Sequence, residues 1–396
     1  MLSEATLAVI SLVLLVFQGI ATLILLSRLL KGPFRRPPLE AKHPNPNLLG
    51  TVSVVVPTLN EVERIDPCLK GLSEQSYEVR EILVIDSHST DGTPERVKEI
   101  STKDPRFRLF NDDPLPLGWV GRPWALHTGF LKSSPKSEWV LGIDADTQPQ
   151  PGLIPSLILA AEEEGYDIVS LSPQFILEYP GEWWLQPALL MTLIYRFDSA
   201  GVKDQSSHRV MANGQCFLSR RSVLEKVGGY QSAASSFCDD VTLARYAANQ
   251  GYKVGFLDGA KVIRVRMYEG FKDTWIGWGR SLDLKDASTP GQLWGDLGLL
   301  LLTQGLPLLL SIALGLCLGL GYAFLTLKLA LGLNLCLVLI RFALLLAIYP
   351  SYYRCSSFSP ASWLFWLSPL ADPLAVMRIY LSAFTRPTQW RGRVYQ

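Results

Sequence analysis

The chain has 396 residues, a formal net charge of +1 and 48% hydrophobic residues. A balance so near neutral excludes the basic surface that nucleic-acid binding requires, and no nucleic-acid partner is expected. The length suggests two to three domains.

Apolar residues are segregated along the chain. Leu7 to Leu30 holds no acidic residue and one basic residue, Arg28, which is long and apolar enough to cross a bilayer. A cleaved signal peptide is disfavoured: no positive charge precedes the run, the run is too long, and no small-x-small site follows it. Glu4 lies before the run, whereas Arg28, Lys31, Arg35 and Arg36 lie at or after its end. The positive-inside rule therefore places the following polar domain in the cytoplasm. Residues 37–50, rich in Pro and Asn, read as a linker.

A β-branched strand is expected at Thr51–Pro57, a helix at Glu61–Ser73 and a second strand at Glu81–Asp86. Thr93-Pro94-Glu95 starts a helix. Phe107–Phe110 is a strand, Trp124–Leu131 a helix, Trp139–Ile143 a strand, Pro151–Glu164 a helix and Ile168–Ser172 a strand. Strands and helices alternating at this pace predict a mostly parallel sheet flanked by helices. Trp183–Phe197 is an aromatic helix that suits a core or a membrane interface equally. Asp239–Asn249 and Phe271–Leu284 read as amphipathic helices, with Trp275 and Trp278 expected to face the bilayer.

Leu297 to Tyr349 carries only Lys328 and Arg341 and can cross twice around Lys328. Ala361–Phe384 contains Pro369, Asp372, Pro373 and Arg378 and reads as re-entrant or interfacial. A basic tail follows, with Arg386, Arg391 and Arg393. The expected division is an anchor over 1–40, a catalytic domain over 41–285 and a membrane domain over 286–396.

The chemistry concentrates at strand ends. Gly142-Ile143-Asp144-Ala145-Asp146-Thr147 puts two carboxylates at the lip of a sheet, where open α/β folds bind ligands. Such a pair suits a divalent ion completed by phosphate oxygens. Val54 to Glu61 ends the first strand in a polar loop. Val84 to Thr93 ends the second with Asp86 and a Gly turn. Cys238-Asp239-Asp240-Val241 places two acids at a helix start, and Arg280 follows Trp278 near the apolar region. Four histidines and scattered cysteines offer no zinc spacing.

Taken together over about residues 51–285, these motifs resemble family 2 glycosyltransferases of the GT-A fold, a Rossmann-like nucleotide-diphospho-sugar architecture. Pro116 to Ala125 and Trp390 to Tyr395 look more narrowly like the membrane-anchored members that glycosylate lipids, including ceramide glucosyltransferases, hopanoid-associated enzymes and bacterial carotenoid glycosyltransferases. The resemblance implies an inverting transfer from a nucleotide-diphosphate sugar. It implies donor contacts from Pro57, Asn60, Glu61, Asp86, Arg122, Asp144 and Arg280, and Mg²⁺ or Mn²⁺ held by Asp146 and Asp144. Asp240 maps onto the general base, with Asp239 where relatives carry Glu. The Gln-x-x-Arg-Trp of many relatives is here Gly277-Trp278-Gly279-Arg280-Ser281, which argues against a processive polymerase. The expected acceptor is a lipid hydroxyl in the plasma membrane or another bacterial inner membrane. A hydroxylated carotenoid or other polyisoprenoid is favoured; hopanoid, ceramide, diacylglycerol and polyprenyl phosphate are the alternatives. The rival classes are a catalytically lapsed scaffold and a synthase-channel.

Overall fold

The computed structural model describes residues 3–203, 206–281, 284–353 and 361–385, with 389–390 and 393–394; side chains are described for all of these except 280, 281 and those beyond 385. The chain opens with α1 (Glu4–Leu29), then runs β1 (Val52–Thr58), α2 (Asp66–Ser73), β2 (Val79–Asp86), α3 (Thr93–Lys103), β3 (Phe107–Asn111), α4 (Gly121–Lys132) and β4 (Trp139–Ile143). Next come β5 (Thr147–Pro149), α5 (Leu153–Glu164), β6 (Ile168–Ser172), β7 (Gln174–Ile176), α6 (Pro180–Arg196), β8 (Cys216–Arg220), α7 (Arg221–Lys226) and α8 (Asp239–Asn249). After β9 (Val254–Asp258), β10 (Ile263–Val265) and α9 (Gly270–Ser281), the helices α10 (Pro290–Leu300), α11 (Pro307–Gly319), α12 (Leu325–Ile348) and α13 (Asp372–Phe384) complete the apolar part, with β11 (Tyr352–Tyr353) between the last two.

The main sheet has the order β3-β2-β1-β4-β8-β6-β9. Its first four strands are parallel, β8 runs antiparallel to both β4 and β6, and β9 is parallel to β6. All of β1 is buried, as expected of a strand covered on both faces. Val54 and Val56 join α2 and α5 in one core, whereas Val55 joins α4 and α8 in another. The α4 helix crosses closely because residue 129 is glycine: a Cβ there would lie 2.2 Å from Val55 Cγ1.

The predicted strands at 51–57, 81–86, 107–110, 139–143 and 168–172 are all present. The helix expected from Glu61 starts at Asp66 instead. Asn60 is held in the left-handed region, the chain turns through Glu61, and Pro67 takes an early helical position where its missing N–H costs nothing.

A third core unites α1, α6, α9, α10, α12, α13 and the 3-10 helix Ser362–Ala371. Packing therefore crosses the expected boundary at 285, since α6 and α9 share apolar contacts with the C-terminal helices. Trp278 is buried here, 6.4 Å from Tyr268. This corrects the expectation that it faces the bilayer: its indole completes a protein core. Trp183 is likewise buried, while Trp275 stacks on Phe271.

Among the described residues, three helices are long and apolar enough to cross a membrane: Glu4–Phe34, Leu325–Ser351 and Ser362–Phe384; the pair Pro290–Gly305 and Pro307–Gly319 adds a fourth if it counts as one span bent by 50°. The bend falls at a π-helical turn, Leu301–Gly305, followed by Pro307, two recognised causes of kinks. Lys328 lies within α12 rather than at the turn, which Gly321 makes in the left-handed region. Buried polar pairs tie these helices together. Gln18 and Asn334 exchange amide hydrogen bonds of 3.0 and 2.9 Å. Arg341 pairs with Asp372 at 2.8 Å, and Gln304 donates to the same carboxylate.

Candidate active site

The direction of the strands assembles the site. Pro57, Asp144, Ser172 and Asp258 all lie at the carboxyl ends of β1, β4, β6 and β9. Because β8 is reversed, its start comes to the same edge, so Gly214 and Gln215 face Asp144. The start of α8 adds Asp239 and Asp240. These groups line one cavity of about 850 Å³.

Arg122, at the first turn of α4, is the hub. Its guanidinium donates to Asp144 Oδ1 at 2.8 and 2.9 Å, to Asp239 Oδ2, and to the Gly214 carbonyl at 2.8 Å. The side chain is 15% exposed, and that of Asp239 is 4% exposed. A Cβ on Gly214 would lie 2.3 Å from Arg122 Nη2, so only glycine leaves this fork its position. Carboxylates on every side hold the arginine firmly protonated despite its burial.

Asp240 is fixed differently. Its Oδ2 accepts from the Gly214 N–H at 2.6 Å and its Oδ1 from the Val241 N–H at 2.8 Å. Each oxygen keeps a second lone pair. Burial, then the charge of Asp239, pushes the Asp240 carboxyl up to about 7. Burial also raises Asp239, and its ion pair with Arg122 opposes the rise. A carboxylate with a pKa near neutrality, held rigidly in a cavity, is equipped for general-base work.

Of the donor-side residues, Pro57, Glu61, Arg122 and Asp144 line the cavity together with Asp146. Asn60 and Asp86 lie behind it. Asn60 accepts from the Thr90 N–H at 2.9 Å. Asp86 is buried and accepts from Thr58, from the Ser89 hydroxyl and from the Ser89 N–H. Both side chains shape the loop following β2. The backbone of Arg280 lies at the end of α9, and its side chain is outside the described residues. Asp144 and Asp146 offer oxygen donors only, the set that suits Mg²⁺ or Mn²⁺. Among the described residues no group of three ligands forms around them, so the pair fits a cation whose remaining ligands are phosphate and water.

Sequence reasoning missed the juxtamembrane clamp. Lys31 pairs with Asp198 at 3.1 Å, Arg35 with Asp258 at 2.9 Å, and Arg36 with Glu163 and Glu164. The positive flank read as a topology signal thus also docks the end of α1 onto the catalytic sheet. Asp258 is a strand-end carboxylate like Asp86 and Asp144, and the same logic applied to Val254–Asp258 finds it. The far wall of the cavity is apolar: Leu29 near the end of α1, Leu193 and Ile194 of α6, and Leu344 and Ile348 of α12.

Residues 53–228 match the model of glycosyl transferase family 2, and residues 202–396 match that of glycosyl transferase family 21. Residues 53–228 are thus similar to family 2 glycosyl transferase domains, and the fold is of the GT-A type. Over 242 residues it is 27% identical to the 4,4'-diaponeurosporenoate glycosyltransferase of Staphylococcus haemolyticus, covering 60% of this chain and 63% of that one. It is 28% identical over 213 residues to the glycosyltransferase AglE of Haloferax volcanii, covering 52% and 64%. Both matches span a little less than two thirds of those relatives. The fold is shared with the mannosyltransferase PcManGT of Pyrobaculum calidifontis, solved with GDP-Man and Mn²⁺, at a TM-score of 0.54 and 19% identity over 96% of this chain and 98% of that one.

Proposed function

We propose that this chain is a membrane-bound glycosyltransferase that inverts the anomeric centre and moves a sugar from a nucleotide-diphosphate donor to a hydroxyl of a lipid. A hydroxylated carotenoid is the favoured acceptor; the staphylococcal relative is named for diaponeurosporenoate, which offers a carboxylate where a hydroxyl is proposed here. The observation carrying this reading is the cavity that runs from Asp144, Asp146, Asp239 and Asp240 to the apolar wall of α1, α6 and α12. An apolar chain resting on that wall stays out of water, which saves roughly 25 cal/mol per Å² of surface. Its hydroxyl can then rise to Asp240.

In this reading Asp240 takes the hydroxyl proton as the oxygen attacks the sugar carbon opposite the leaving diphosphate. Asp239 keeps the Arg122 fork in place beside it. Pro57, Asn60, Asp86 and Glu61 form and support the nucleotide side, Arg122 would meet the phosphates, and Arg280 is assigned the same role on the family resemblance alone. Asp146 and Asp144 would hold Mg²⁺ or Mn²⁺, which would neutralise charge on the leaving group. Arg122 pairs with Asp144 at 2.8 Å. The pairing of residues 31–36 with Asp198, Asp258, Glu163 and Glu164 joins the end of α1 to the catalytic domain, and the positive charge of that end supports a cytoplasmic position for both.

Removing divalent ions with EDTA is expected to abolish sugar transfer, and adding Mn²⁺ or Mg²⁺ to restore it. Full turnover in chelated enzyme would remove the cation from the scheme. The acceptor is tested by profiling lipids and pigments of a strain lacking the protein. An unglycosylated carotenoid should accumulate and its glycoside disappear. Accumulation of a hopanoid, ceramide or diacylglycerol instead would reassign the acceptor, and an unchanged profile would refute the lipid reading.

A further inference from the structure

A second pocket, of about 360 Å³, lies apart from the catalytic cavity and is lined by Arg28, Arg209, His208, Thr289, Gln292 and Asp296, among others. Arg28 is in the last turn of α1, and Thr289 caps the start of α10. Both helices change from polar to apolar surroundings at this level, so the pocket sits where lipid head groups lie.

Its charge is unbalanced. Arg28 and Arg209 line it, and the buried Arg196 and Arg245 stand behind, 5.1 and 5.4 Å from the Phe197 ring. Four guanidiniums face Asp296, which accepts from Arg28 at 3.4 Å; Asp198 nearby is engaged by Lys31. Arg28 and Arg209 also donate to the Arg196 carbonyl, which explains part of their placement as caps of α6. That role leaves donors over. Arg209 Nε, Arg196 Nη2 and Arg245 Nη2 are buried with no hydrogen-bond partner among the described residues. Burial lowers Arg196 and Arg245 to about 10, so both stay charged at neutral pH. Stranded donors, and positive charge left uncompensated among the described residues, are costly; the start of α10 adds little, since Pro290 has no N–H and those of Gln292 and Leu293 donate to Thr289.

We propose that this pocket binds the phosphate of an anionic phospholipid, which supplies the missing negative charge and fixes the joint between α1, α6 and α10. A phosphate suits arginine forks. An anionic lipid presents it at the right depth, whereas the choline of a zwitterionic lipid brings a cation toward the same arginines.

The test uses the full-length protein in detergent, with binding followed by native mass spectrometry and thermal shift. Replacing Arg209 would remove a cap of α6 and confuse binding with folding. Gln292→Glu avoids this. Residue 292 is in the first turn of α10, where an acid is favoured by the helix dipole. The new carboxylate lies in the pocket lining with Arg28 and Arg209 and replaces the donor that Gln292 gives to the His208 carbonyl. Phosphatidylglycerol is expected to remain bound and raise the melting temperature, with phosphatidylcholine giving neither effect. Gln292→Glu, with its own lipid-free melting temperature as the reference, should weaken phosphatidylglycerol binding by about fivefold or more and shrink the rise in melting temperature that the lipid brings. Equal responses to the two lipids, or a variant that binds phosphatidylglycerol as the wild type does, would overturn the proposal. So would stabilisation by inorganic phosphate alone with no response to phosphatidylglycerol. Sugar transfer is not read in this experiment, so its outcome is separate from that of the proposed activity.

Discussion

Asp240→Asn is expected to bind the nucleotide sugar normally and to lose transfer by about 10²–10⁴-fold, the usual cost of removing a general base. The amide is nearly the size of the carboxylate. It can still accept one of the two backbone N–H bonds, from Gly214 or Val241, that now fix the side chain. It cannot take a proton. The pH dependence sharpens the prediction. In the donor-free enzyme burial and Asp239 raise Asp240 from an ordinary 3.8 to about 7. The active form is the ionised one, so turnover should rise with pH through neutrality, and the residual activity of the variant should lack that limb. Stability runs the other way. Between the ordinary and the raised value the folded protein holds a proton that the unfolded chain has released, so stability is greatest on the acid side and falls as pH rises through about 7. Asp240→Asn should therefore melt higher than wild type at pH 8 while being nearly inactive. Turnover within a few-fold of wild type would show that Asp240 is not the base.

The parts legible in the sequence were those fixed locally. Val52–Thr58 and Trp139–Ile143 are continuous apolar runs that can only be buried strands, and the carboxylates after them inherit their position from the sheet. Short strands were not legible. Thr147–Pro149, Gln174–Ile176 and Ile263–Val265 have three residues each, too few for a period, and owe their conformation to pairing across the smaller sheet. The reversal of β8 was equally hidden, although it brings Gly214 to Arg122 and Asp240. The basic run 28–36 announced a charge asymmetry, but its partners at 163, 164, 198 and 258 are more than 100 residues away. Trp278 shows the limit of reading aromatics by their usual habitat. A Trp beside apolar helices fits a bilayer surface and a protein core alike, and here Tyr268 and the C-terminal helices settle it as core.

Arg122 carries the largest expected effect on stability. Replacing it with Met leaves Asp239 buried and without its countercharge, and leaves the Gly214 carbonyl without that donor. Removing one partner of a buried ion pair typically costs about 3–5 kcal/mol, mostly for the charge left behind. In a chain of this size that amounts to a fall in melting temperature on the order of 10 °C. Arg122→Lys should recover only part, because an ammonium cannot fork to Asp144, Asp239 and a carbonyl at once. The deciding comparison is the double variant Arg122→Met with Asp239→Asn. If stranded charge is the cause, neutralising Asp239 should return much of the loss, and the two substitutions should be strongly non-additive. Additive losses, or an Arg122→Met protein as stable as wild type, would show that the fork does not hold the carboxylates together. The same cycle bears on function. Arg122 joins the donor-side Asp144 to the acceptor-side Asp239, so the double variant should be stable yet impaired in transfer, with both halves of the site present and the link between them gone.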